Sequence, residues 1–293
     1  MTTRWLVYRG PTRGQGVGST LLGVAAALHH ANEHGRGLCV AWKAFELAFA
    51  NSANCPSKDA YFVGSGSGGT AILDVDATFE EWSFGMDDEA RAASDTRRDA
   101  LLNSSRSVVV MHGDGGGIRS GSRLRFPFAP RDELISLLSP PRSLVVHLRQ
   151  GDPHEGQRRG YLSDPSALTT LYRELPREAY CLSDAEEVYS SLCDRFACPS
   201  WRTLPHSSER AMRPSVGEQR RATLQTWADW WAIQTASGLV LHTPSAFSES
   251  ALLFNAEVTP CVLSDAASAA KCLAKAAEAV SIAKEHAAQR LEL

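Results

Sequence analysis

The stretch from Trp5 to Trp42 limits the possible fold more than any other part of the chain. Trp5-Leu6-Val7-Tyr8 is a short apolar run that ends at Arg9-Gly10-Pro11, and a glycine-rich turn, Gly14-Gln15-Gly16-Val17-Gly18-Ser19, comes next. TLLGVAAALHHANEHG then carries a helical pattern, with Gly35 and Gly37 as its stop signals. Leu38-Cys39-Val40-Ala41-Trp42 reads as a second strand. Strand, glycine turn, helix and strand in that order make a βαβ unit, so the chain is expected to be α/β with a parallel sheet.

Beyond it, residues Asn51 to Gly69 read as a variable loop region that ends in the low-complexity run GSGSGG. Ser107–Met111 is a third strand, followed by His112-Gly113-Asp114-Gly115-Gly116-Gly117. Ser139-Pro140-Pro141-Arg142 breaks the chain and suggests a domain boundary, giving domains of residues 1–140 and 141–293. The alternation then restarts, with strands at Leu144–Leu148, Ala179–Leu182, Trp201–Leu204, Leu239–His242 and Pro260–Leu263. The helices between and after them are expected at Pro165–Leu175, Ala185–Phe196, Gln219–Ala236, Glu249–Asn255 and Ala266–Leu291.

Composition narrows the partners. A chain of 293 residues, 43% hydrophobic and 22% charged, has the make-up of a folded globular protein. Its formal charge of −3 gives no global basic field for nucleic acid or anionic lipid, so an anionic ligand needs a local arginine. No apolar stretch reaches the roughly 20 residues of a membrane helix. The run within MTTRWLVYRGP is too short for a signal segment. The seven cysteines are scattered without a C-x-x-C pair, and they read as free thiols in a reducing compartment. The expected location is therefore cytoplasmic or otherwise soluble, although a secretory-pathway catalytic domain trimmed of its targeting segment would look the same.

Ligands of open parallel sheets bind at the C-terminal ends of strands, where helix N-termini point their amides. Three places in the second half put polar groups there: His147/Arg149/Asp152, Ser183/Asp184 and Thr243/Ser245/Ser248. Arg149 offers a permanently charged donor fork to a phosphate. The helix start from Ser245 to Ser248 suits a second phosphate contact, and Asp184 suits the donors of a ribose or base. Together they describe a pocket for a nucleoside diphosphate. Each has a plainer reading as well: Ser245, Ser248 and Asp184 as helix N-caps, and Arg149 with Asp152 as a loop ion pair.

Other features read as structural. Asp74-Val75-Asp76 has the D-x-D spacing of a metal site but sits in the first half as a turn or strand end. His30 and His34 are one helical turn apart with no carboxylate motif, so they read as a solvated face. Trp227, Trp230 and Trp231 fall within one helix and read as core. The His112 loop could reach a ligand from the first domain.

His147-Leu148-Arg149-Gln150-Gly151-Asp152 fits the H-x-R-x-x-D motif of fucosyltransferases that use GDP-fucose. Gly14–Trp42 also resembles the opening of that superfamily, in particular its nodulation chitooligosaccharide α-1,6-fucosyltransferase branch and the protein O-fucosyltransferases. Cys181-Leu182-Ser183-Asp184 and the segment Gly238–Phe254 match in the same order. Where the family has Gly-Gly-x-Gly-Asn/Asp, this chain has Arg13-Gly14-Gln15-Gly16-Val17-Gly18-Ser19.

The resemblance implies a GT-B-like fold, two Rossmann-like domains facing across a cleft, with residues 1–140 on the acceptor side and 141–293 binding the nucleotide sugar. It implies an inverting transferase with no metal or resident cofactor, moving fucose from GDP-fucose to a glycan or other hydroxyl acceptor. Arg149 would bind the β-phosphate and stabilise the leaving charge, with Asp152 beside it. His147, Ser183, Asp184, Ser245, Phe247 and Ser248 would line the donor site; Gly16, Gly18, His154 and Glu155 would line the acceptor side of the cleft. Asp152, His154 and Glu155 are the candidates for accepting the acceptor hydroxyl's proton. Two alternatives stay open: another nucleotide sugar as donor, and a catalytically silent nucleotide- or glycan-binding protein on the same scaffold.

Overall fold

The computed structural model describes residues 4–10, 17–57, 77–81, 88–113, 124–138, 144–148, 165–177, 179–183, 192–199, 216–242, 245–255, 258–263, 267–268, 270–275, 278 and 281. The chain divides into two compact units, Met1–Arg131 and Asp132–Leu293. Each carries a four-stranded parallel sheet.

In the first unit the sheet runs β2-β1-β5-β4, with β1 at Trp5–Arg9, β2 at Gly37–Ala41, β4 at Thr78–Glu81 and β5 at Val108–Gly113. Helix α1, Val17–Glu33, connects β1 to β2, and α3, Asp88–Asn103, connects β4 to β5. Leu6 and Tyr8 are wholly buried, and Tyr8 meets α1 at Gly23. A Cβ at Gly23 would lie 2.2 Å from the Tyr8 hydroxyl, which donates to the Gly113 carbonyl at 2.7 Å. Only glycine allows the helix to come this close to the sheet.

Helix α1 ends where the sequence signals predict. Gly35 has φ +58°, the Arg36 amide donates to Ala31 O and the Gly35 amide to Asn32 O. This is a Schellman ending. The next residue is the least expected in the unit. Arg36 is 6% exposed, and its guanidinium donates to the carbonyls of Leu101, Leu102, Ser104, Arg106 and Trp5. Leu101 and Leu102 belong to the last turn of α3, so Arg36 satisfies orphan carbonyls there and fastens α3 to both inner strands. Burial, and then the neighbouring charge of Arg4, lowers its pKa from the ordinary arginine value.

On the face away from α1, Val7, Cys39 and Val110 form an apolar cluster with Trp5, Ala41, Cys55 and Val108. Edge strand β2 is blunted by Asn51, whose side-chain amide pairs with both the N–H and the carbonyl of Val40 at 2.9 Å. Helix α2 (Lys43–Ala48) and the short antiparallel pair β3 (Phe49–Ala50) and β6 (Ala129–Pro130) surround a cluster of Phe45, Phe49, Phe126 and Phe128.

In the second unit the sheet runs β10-β9-β7-β8: β7 is Leu144–Leu148, β8 Tyr180–Ser183, β9 Gly238–Leu241 and β10 Cys261–Val262. Its named helices are α4 (Asp132–Ile135), α5 (Pro165–Glu174), α6 (Val216–Gln234) and α7 (Ala246–Leu253), and residues 270–275 are helical too. Side chains alternate across β7. Leu144, Val146 and Leu148 enter a core with Leu171, Cys181, Leu192, Val240 and Leu263, which turns Val145 and His147 to the other face. Trp227 and Trp230 of α6 are fully buried and Trp231 is half-buried, so the aromatic run is core as expected. The Trp230 indole donates to Ser250 of α7 at 3.1 Å.

The free-thiol reading of the cysteines is overturned. Disulfides join Cys39 to Cys55, Cys193 to Cys198 and Cys261 to Cys272, leaving Cys181 as the free cysteine. Each closes a short local loop, so the lack of a C-x-x-C motif excluded nothing, and the argument for a reducing compartment falls with it. Burial pushes the Cys181 thiol up to about 12, so it stays protonated and unreactive. Denatured without reductant, the chain is expected to take one alkylating group, at Cys181, and seven after reduction. Intact-mass measurement decides it; several groups before reduction would refute the pairing.

The histidines of α1 also differ from the sequence reading. His30 is 7% exposed and stands edge-on to Phe79 of β4, while His34 bonds Asn103 of α3. Of the expected solvated face, His30 is covered beside β4, while His29 and His34 stay half-exposed and His34 reaches α3; β4 and α3 are two elements absent from the sequence reading. The expected strand Trp201–Leu204 and the Asp74–Asp76 motif lie outside the described residues, as does most of helix Ala185–Phe196.

Candidate functional site

The second sheet reverses direction at its centre. From β7 the chain passes through α5 to β8 on one side, and later strands add on the other, β9 first. The ends of β7 and β9 therefore flank a topological switch point, the crevice where open α/β sheets bind ligands. His147 stands there as the penultimate residue of β7, opposite Leu241 of β9 and Leu182 of β8. Its carbonyl accepts the His242 amide at 3.0 Å, which continues the ladder one step past β9.

The chain then turns into α7. Ser245 is the N-cap, its Oγ accepting from the Ser248 amide at 3.3 Å, while the Ser248 hydroxyl accepts from the Ser245 amide at 3.1 Å. This is a reciprocal capping box, with Ser245 5% exposed and Ser248 fully buried. Both hydroxyls are thus engaged in starting the helix, and what α7 offers an anion is its N-terminal amides and dipole. Phe247, on the first turn, lies with its ring 5.8 Å from the His147 imidazole. Ser183 closes β8, paired with Leu148, and is buried. The strand ends thus bring His147, Ser183, Ser245, Phe247 and Ser248 to one edge of the second sheet.

Replacing Ser245 by alanine removes one half of the box and is expected to cost about 1 kcal/mol of stability in urea unfolding. An unchanged midpoint would show that α7 does not depend on its cap.

Arg149 and Asp152, directly beyond β7, lie outside the described residues, as do Asp184, His154, Glu155 and Gly16. Gly18 is buried in the first turn of α1 in the first unit. His242, buried one step past β9, also stands at this edge and was not singled out from the sequence. The signal was its place one step past a strand end, level with the residue after His147. Among the described residues no group of histidine, cysteine and carboxylate side chains could hold a metal ion. No described helix is long and apolar enough to cross a membrane.

The fold defines a class: a mixed α/β protein with parallel sheets whose ligand edge lies at the strand ends. No protein-family model and no curated protein matches the sequence. Solved structures do. The chain is similar to NodZ alpha-1,6-fucosyltransferase soaked with GDP-fucose, at 14% identity over 86% of this chain and 92% of that one, with a TM-score of 0.44. It is similar to fucosyltransferase NodZ from Bradyrhizobium at 15% identity, covering 86% and 93%, with a TM-score of 0.45. It is also similar to Arabidopsis thaliana FUT1 in complex with GDP, at 10% identity, covering 90% and 71%, with a TM-score of 0.45. Scores this low carry no residue correspondence.

Proposed function

We propose that the chain is a fucosyltransferase-like glycosyltransferase that moves fucose from GDP-fucose to a hydroxyl acceptor, with inversion and without a metal. The observation that carries the reading is the position of His147. It is the penultimate residue of a central strand at the switch point, beside the capped start of α7, and in H-x-R-x-x-D the next residue but one is Arg149. On this reading a diphosphate at this edge is held by the α7 dipole together with the Arg149 guanidinium.

The chemistry follows from those charges. The bond between the sugar's anomeric carbon and the β-phosphate oxygen breaks, and GDP leaves with the electron pair. A fixed guanidinium stabilises that growing negative charge more than it stabilises the intact donor. The acceptor oxygen bonds the opposite face of the sugar and loses its proton, with Asp152, His154 and Glu155 as the candidate proton acceptors. Ser183 and Asp184 face the nucleoside, and residues 1–140 form the acceptor side.

GDP release from GDP-fucose tests the reading. Steady release by the intact chain, faster with glycan acceptors than with water alone, is the expected result. Binding of GDP-fucose with no release would favour a silent binder; faster release from another nucleotide sugar would move the donor assignment.

A further inference from the structure

Three disulfides pair all the cysteines but Cys181, one in the first unit and two in the second. Pairing of this extent forms and persists in an oxidising compartment. A chain that folds in a secretory lumen of that kind meets a second chemistry there. Oligosaccharide is attached to asparagine within Asn-x-Ser/Thr, where x is any residue but proline. The chain has five asparagines, Asn32, Asn51, Asn54, Asn103 and Asn255. Only Asn103 has a hydroxyl residue two places on, in Asn103-Ser104-Ser105.

A tripeptide this short also recurs where it is never modified, so its setting decides what it can do. Asn103 is the last residue of α3, and β5 begins at Val108. Asn103 and Ser105 are exposed, whereas Ser104 between them is half-buried. The Ser104 carbonyl accepts from the Arg36 guanidinium at 2.9 Å and from Arg4 at 3.2 Å, and its hydroxyl donates to the Leu101 carbonyl at 2.6 Å. The middle residue is thus anchored, while the two that an attaching enzyme reads stand in solvent. Asn103 Oδ1 accepts from His34 Nδ1 at 3.1 Å, an exposed bond. Its amide nitrogen, the atom that takes the sugar, has no partner among the described residues. The place suits a bulky group as well. α3 connects two parallel strands and ends just before β5 starts, so the tripeptide lies at the N-terminal edge of the first sheet. Ligands of parallel sheets bind at the other edge, which an oligosaccharide on Asn103 leaves open.

We infer that Asn103 is an N-glycosylation site, modified from a lipid-linked oligosaccharide diphosphate in the lumen where the disulfides form. Asn103 Nδ2 bonds the anomeric carbon of the first sugar, and the bond from that carbon to the donor's phosphate oxygen breaks. The lipid diphosphate leaves with the electron pair, and Nδ2 gives up one proton. The Ser105 hydroxyl is the group the attaching enzyme requires besides the amide. Nothing in this inference rests on the transferase reading.

The test is the intact mass of the full chain made by eukaryotic cells behind a cleavable secretion signal, recovered from medium and lysate together. The same chain made in the cytosol is the control. A glycan mass is expected on the lumenal chain and not on the cytosolic one, released by peptide N-glycosidase with aspartate left at position 103. Asn103→Gln and Ser105→Ala are each expected to abolish it, and Ser105→Thr to keep it. Ser105→Ala leaves Asn103 and its bond to His34 in place, so a loss there reports the missing hydroxyl. A bare Asn103 on the lumenal chain overturns the site, as does a glycan that survives Asn103→Gln.

Discussion

Arg36→Met is expected to lower the stability of the chain by about 3–5 kcal/mol, the range for leaving buried polar partners unsatisfied. The guanidinium is buried between the end of α1 and the last turn of α3, donating to carbonyls of Leu101, Leu102, Ser104, Arg106 and Trp5. Methionine fills much of the volume but donates nothing. The Leu102 carbonyl it abandons is buried and the other acceptors are partly covered, so the loss exceeds that of exposed hydrogen bonds. A melting midpoint lower by roughly 10 °C or more is the corresponding reading. Arg36→Lys is expected to recover only part, because an ammonium is a single point and cannot spread over carbonyls on several sides. An Arg36→Met midpoint equal to wild type would mean that α3 is held by something else.

The second large effect falls on Arg149. Arg149→Ala is expected to slow GDP release from GDP-fucose by about a hundredfold or more, the usual size of losing one preorganised stabiliser of leaving-group charge. Arg149→Lys keeps the charge and loses the planar fork, so it should lie between the two. Stability gives the control: Arg149 follows Leu148, the last residue of β7, in sequence, and its removal is expected to leave the melting midpoint of the unliganded chain near wild type. A variant that releases GDP at the wild-type rate would remove Arg149 from the chemistry.

Much of the architecture was legible because it rests on periodicity. The strands at Leu144, Ala179 and Leu239, and the helices expected at Pro165–Leu175, Gln219–Ala236 and Glu249–Asn255, lie within a few residues of where the apolar runs and glycine signals put them. β1, α1 and β2 do too. The elements that escaped notice carry little apolar signal. Helix α3 reads DEARAASDTRRDALLN, and Leu102 is its one fully buried described residue. β4 is TFEE, with Phe79 as its buried member. Such segments form because their neighbours hold them, α3 through Arg36 and β4 through pairing with β5, and no local pattern records that.

The site divides the same way. His147 and the serines of α7 were legible because strand ends and caps have sequence signatures, and the capping box now explains what both hydroxyls do. Arg36 was not, since an arginine between two glycines looks the same whether it is solvated or buried. His112 looked like the start of a loop; β5 runs two residues further than Met111 and takes it into the sheet. The disulfides depended on distances that only the folded chain sets.

The central claim is that the edge of the second sheet holds guanosine diphosphate. A thermal-shift series with GDP, UDP and ADP, on wild type and Arg149→Ala, tests it most directly. The account predicts that GDP raises the wild-type melting midpoint, that UDP and ADP do so far less, and that the variant loses most of the GDP response. An unmoved midpoint with GDP, or an Arg149→Ala response equal to wild type, would contradict it.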